Sequence, residues 1–133
     1  MKKRVYGRRL SRGRGARKAL FRSLIAALVA HGRIKTTKAK AKAIQGQVDK
    51  IINIAKNGSL ASKRRVLSIL GNDRRTSQNI STLVVKAFAD RNSGYTRIVA
   101  LPKRLGDAAD MVRMEWVKIV ANEQSKPEKE KEK

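Results

Sequence analysis

Apolar residues recur with a helical period from Ala16 to His31. Leu20, Leu24 and Leu28 fall every four residues with Phe21, Ile25 and Val29 beside them, which predicts a helix with a wide buried face. Gly32 is its expected stop. Arg33-Ile34-Lys35-Thr36-Thr37 is rich in β-branched residues and reads as one short strand, with Thr37 set to cap the next helix. That helix runs from Lys38 to about Lys56, and Ile44, Val48, Ile51, Ile52 and Ala55 carry its 3.6-residue period. Asn57-Gly58 ends it. Ser59 caps a third helix, Leu60 to Leu70, which stops at Gly71. A fourth spans Ser77 to Asp90 with Ile80, Leu83, Val84 and Phe88 on its apolar face, and Asn92-Ser93-Gly94 breaks it.

The pattern then changes period. Tyr95 to Leu101 and Met111 to Val117 are β-branched and aromatic, and Pro102 to Asp110 connects them. Two such neighbours most simply pair antiparallel. Val112, Met114 and Trp116 share the face that packs on the helices. The expected fold is α+β, about four helices packed on a small mixed sheet of about three strands, in one domain over residues 16–122. Residues 1–15 form an extended basic arm, and residues 123–133 a charged, disordered tail.

Composition explains what this domain is exposed to. The chain has 133 residues and 14.8 kDa, with 33 Lys and Arg against 10 Asp and Glu, a net charge of +23 and a pI near 11.5. Such an excess carries a self-repulsion that a polyanion relieves. Hydrophobic residues still make up 41% of the chain, enough to build a core. The charge is also uneven: fifteen Lys and Arg and no acid precede Asp49, whereas an ordinary solvated surface interleaves signs.

The arm, MKKRVYGRRLSRGRG, is the densest part. Its glycines let backbone approach a phosphate, and its arginines bind phosphate oxygens bidentately or stack on bases. Lys2, Lys3, Arg4, Arg8, Arg9, Arg12 and Arg14 are therefore candidate contacts, followed by Arg17, Lys18 and Arg22 on the first helix. A solubilising tail is the plainer reading. Ten positive charges and no acid through Arg22 argue against it.

Other classes find little support. No Cys and a single His leave no thiol nucleophile, disulfide framework, iron–sulfur cluster or multi-histidine metal site. The longest apolar run, within Leu24 to Ala30, is far short of a membrane span. Arg22 before it and His31-Gly32-Arg33 after it do not fit a signal peptide, and the basic segment enters structure without the linker of a transit peptide, so a cytoplasmic protein is expected. Neither G-x-x-x-x-G-K-[ST] nor G-x-G-x-x-G occurs. His31 has no carboxylate nearby in sequence, and Asp107 and Asp110 read as loop caps rather than cation ligands. No enzyme, cofactor, metal or small-molecule substrate is expected.

Six strings in register carry a resemblance. Gly7-Arg8-Arg9-Leu10, Arg17 to Arg22, His31, Ile34 to Lys42, Gly94 to Ile98, and Arg104 to Asp107 followed by Met111 and Glu115 resemble the bacterial L17 family of large-subunit ribosomal proteins. The match runs over about residues 4–119. Ser23 stands where the family commonly has Asn, and Ala43 where it often has Glu.

The resemblance implies a structural constituent of the large ribosomal subunit, supporting its assembly and translation. Its implied partners are large-subunit ribosomal RNA near the peptide exit region and neighbouring ribosomal proteins. On this reading Lys2 to Arg22 thread between RNA helices, and Arg33, Lys35, Lys38, Lys40 and Lys42 present charge from the first strand and second helix. Arg64 and Arg65, with Arg74 and Arg75, form a second patch, and Arg97 and Tyr95 are further candidates, packing being an equal reading for Tyr95. The competing class is a DNA-binding architectural or regulatory protein, for which the charge serves equally. No helix-turn-helix, zinc-ligand pattern or zipper supports it.

Overall fold

The first helix, α1 (Arg14–His31), begins two residues earlier than its apolar period suggests, because Gly13 supplies the extended backbone of a helix entry. Its end is as expected: Gly32 adopts a left-handed φ of 73° and its N–H reaches Leu28 O at 2.9 Å. The computed structural model describes residues 7–120. Within them follow β1 (Arg33–Thr37), α2 (Lys38–Lys56), α3 (Leu60–Leu70), α4 (Arg74–Asn79), a π-helical turn (Ile80–Val84), α5 (Val85–Ala87), β2 (Thr96–Ala100) and β3 (Met111–Trp116).

Helix capping and boundaries depart from the sequence reading at three further points. Thr37 does precede α2, but its side chain makes no capping bond; the Lys38 N–H is satisfied by Asp110 O at 2.9 Å instead. The fourth helical run starts at Arg74 rather than Ser77. Asp73 caps it, Oδ1 accepting from the Thr76 N–H at 3.1 Å and Oδ2 from its hydroxyl at 2.5 Å. That run ends by Phe88, not Asp90, and contains the π-turn, in which the Val85 N–H bonds Ile80 O. Ser81 and Thr82 donate to the carbonyls of Ser77 and Gln78, four residues back, which loosens the α ladder at that point. Ser59 caps α3 as expected, its Oγ accepting from the Ser62 N–H at 3.1 Å.

The sheet has the order β1-β3-β2 and is antiparallel throughout rather than mixed. β1 and β2 run the same way, but β3 lies between them. The expected β2–β3 hairpin forms, with Ile98 opposite Met114, and β1 adds the long-range pairing of Ile34 with Met114. Val112, Met114 and Trp116 turn inward, as the alternation predicts. They meet Ile44, Val48, Ile51 and Ile52 of α2, Val66 and Leu70 of α3, and Ile80, Val84 and Phe88 of the fourth run in one core. Burying each large side chain there contributes roughly 1.5–3 kcal/mol. On α1 the buried stripe is Ile25, Leu28 and Val29, while Leu20, Phe21 and Leu24 stay half-buried.

Tyr95 sits at the centre of this core. It is 0% exposed, its ring meets Phe88 edge-on at 5.3 Å, and its hydroxyl bonds Asn53 and the Arg91 carbonyl. Asp49, the first acid in the chain, accepts the Gly94 and Tyr95 N–H groups at 3.4 Å and holds the turn into β2. Packing, not RNA contact, is therefore the role of Tyr95.

Candidate nucleic-acid interface

From Gly7 onward the arm folds back on the domain. Leu10 and Ser11 both have φ of 53°, and the Arg12 N–H bonds Arg9 O at 3.2 Å, so a tight turn precedes α1. This brings Arg8 to the start of α2, where it lines a cleft of about 290 Å³ with Thr37, Lys38, Ala39, Lys42 and Asp110. Three cations from two distant stretches of sequence meet there. The α2 N-terminus beside them adds the partial positive charge of its dipole. Lys2, Lys3 and Arg4 lie outside the described residues.

A second cleft, of about 400 Å³, lies between α1, α2 and α3. Arg14, Arg17, Lys18, Phe21, Arg22 and Ile25 of α1 line one wall, with Gln47 of α2 and Ser68 and Ile69 of α3 opposite. Arg22 is committed to the fold here. Its guanidinium donates to the carbonyls of Ile69 at 3.0 Å and Ser68 at 3.4 Å, capping the end of α3 where the helix dipole is negative. Among the candidate cations it acts first as a structural residue. Its neighbours Arg14, Arg17 and Lys18 make no such bond among the described residues.

The outward face of the sheet gathers a third group. Register puts Arg33 and Arg97 on either side of Glu115, and Lys35 and Val99 on either side of Arg113. Four cations thus share this face with one carboxylate. Arg97 Nε stands 2.6 Å from Glu115 Oε1 and Arg113 Nε 2.8 Å from Oε2. The Arg97 hydrogen bond and, behind it, the Arg113 charge hold the Glu115 carboxyl below its usual range. Arg113 was not among the sequence candidates. The signal was present in the alternation of Met111 to Trp116, because inward Val112 and Met114 require an outward Arg113.

The remaining candidates do not join these groups. Arg64 and Arg65 on α3, and Arg74 and Arg75 in the first turn of α4, are exposed and line neither cleft. Lys40 is half-buried between Lys38 and Lys42. Asp107 serves its own loop, pairing with Arg104 and accepting the Ala109 N–H, and the Arg104 hydrogen bond pulls its carboxyl down to about 2. Among the described residues the ion pairs are Arg97–Glu115, Arg104–Asp107, Arg113–Glu115 and Lys118–Asp90. None involves a cation between Arg8 and Lys42.

Comparison with known proteins shows which family the chain belongs to. The family model described as Ribosomal protein L17 matches residues 20–117. The chain belongs to the ribosomal protein L17 family. It is 42% identical over 111 residues to the large ribosomal subunit protein bL17 of Rubrobacter xylanophilus, covering 84% of this chain and 91% of that protein. The bL17 protein of Thermodesulfovibrio yellowstonii is 39% identical over 133 residues, covering 100% of this chain and 96% of its own length. The resemblance read from six short strings is thus a family relationship across the domain. An L17 family member is a structural ribosomal constituent rather than an enzyme. Among the described residues Asp49 and Asp73 accept backbone N–H groups at turns and caps, and Asp90, Asp107 and Glu115 are held in ion pairs.

Proposed function

We propose that this chain, as a constituent of the large ribosomal subunit, binds ribosomal RNA through the arm, the two basic clefts and the outward sheet face. The observation that carries this reading is the absence, among the described residues, of any ion pair to the cations from Arg8 to Lys42. Repulsion within so dense a group is relieved when phosphates replace the counterions, and releasing those counterions drives binding. Arg8, Lys38 and Lys42 grip one stretch of backbone, and Arg14, Arg17 and Lys18 another. Arg33, Lys35 and Arg97 meet a third from the sheet. This is recognition by shape and phosphate rather than by base edges in a groove. The cytoplasmic ribosome, with neighbouring large-subunit proteins at the rim, is the setting that fits.

The test is the salt dependence of binding to large-subunit ribosomal RNA. Log affinity should fall linearly with log salt, with a slope of roughly −0.7 to −0.9 per phosphate contacted, and steeply overall. A shallow slope, or equal binding to any duplex DNA of the same length, contradicts the reading.

A further inference from the structure

Resting on the RNA-binding reading, we propose that the cleft between α1, α2 and α3 captures one unstacked base of a single-stranded RNA segment. Its chemistry is divided by depth. Ile25 is buried and Phe21 and Ile69 are half-buried, so the floor is apolar. Arg14 and Lys18 are exposed and Arg17 is half-buried, so cations stand at the mouth. Gln47 and Ser68, both exposed, add neutral hydrogen-bonding groups at the edge. Among the described residues no acid lines the cleft.

Two simpler ligands match only half of this arrangement. A bare phosphate satisfies the cations and leaves the apolar floor wet. A purely apolar group covers the floor and desolvates the cations without compensation. A nucleotide satisfies both, its base against Phe21 and the floor, its phosphates on Arg14, Arg17 and Lys18. At about 400 Å³ the cleft falls within the ~300–1,000 Å³ range of sites that enclose small organic groups. RNA proteins commonly hold splayed bases in this way, on an aromatic face or a guanidinium plane.

The test compares two fluorescent RNA dodecamers binding the full chain, one of adenosines and one of abasic ribose units with the same phosphates. Wild type should prefer the adenosine oligomer by roughly 5- to 150-fold, the worth of one stacked base. Ser68→Leu fills the cleft from an exposed helix position and removes no charge. It should erase the preference while both oligomers keep their salt slope. Phe21→Ala should do the same, with its melting transition recorded because Phe21 also packs on the core. Equal binding of the two oligomers by wild type, or a preference that survives Ser68→Leu, overturns base capture and leaves the RNA reading standing. Absence of salt-dependent binding to either oligomer overturns both.

Discussion

At Gly71 the backbone φ is +74°, and an added Cβ would stand 2.8 Å from Arg22 Nη1. Two costs follow from one methyl group. The left-handed conformation penalises any L side chain by roughly 1–2 kcal/mol. The guanidinium, being the free end of a flexible chain, moves aside but leaves the Ser68 and Ile69 carbonyls that it caps. Gly71→Ala should therefore lower the melting temperature by at least the backbone term, and an unchanged Tm would contradict this account. The same geometry separates two arginines that look alike in sequence. Arg22→Ala should lower stability and leave the salt slope of RNA binding nearly intact. Arg17→Ala should leave stability intact and reduce the slope by roughly 0.7–0.9. Calorimetry and a salt titration of the two variants check this, and a reversed pattern would exchange their roles.

The elements were legible where a local rule decides. The α2 period marked Ile44, Val48, Ile51, Ile52 and Ala55, and all five are buried. Gly32, Ser59 and Gly71 marked their helix ends for stereochemical reasons. What a local rule does not carry was missed. The Asp73 cap hid in a polar run, and the π-turn at Ile80–Val84 leaves no periodic trace. Pairing of Arg33 with Glu115 joins residues far apart in sequence, so the sheet order was not readable beforehand, whereas the outward Arg113 was implied by the alternation of Met111 to Trp116 and went unmarked. The candidate interface divides likewise: charge density before Asp49 was plain, but its partition into two clefts and a sheet face depends on how α1, α2, α3 and β3 pack. At this scale the arm is the element to remove. Deleting residues 2–13, which stop short of α1, takes away six Lys and Arg. The salt slope should flatten by up to about 4 to 5 while the domain still melts cooperatively. An unchanged slope would show that the arm contacts few phosphates.

For the whole molecule, a net charge of +23 makes the folded state sensitive to losing its few acids. Asp73, Asp90, Asp107 and Glu115 all have carboxyls held below their usual range in the fold, by hydrogen bonds from Thr76, Lys118, Arg104 and Arg97 respectively. Depressed folded values mean that their stabilisation is complete above the unfolded carboxylate range, about 4, and is lost as pH falls toward 2. Thermal melts should thus be flat near neutrality and fall steeply below about pH 4, less so for the exposed pairs in high salt. A Tm that holds to pH 2 would mean that these carboxylates contribute little.

Binding to ribosomal RNA within the large subunit is tested most directly by sedimenting cell extract on gradients at low and then high salt, following this chain by mass. Many phosphate contacts spread over an arm, two clefts and a sheet face predict co-migration with the large subunit that persists through a high-salt wash. Release by modest salt, or migration with the nucleoid instead, would contradict it.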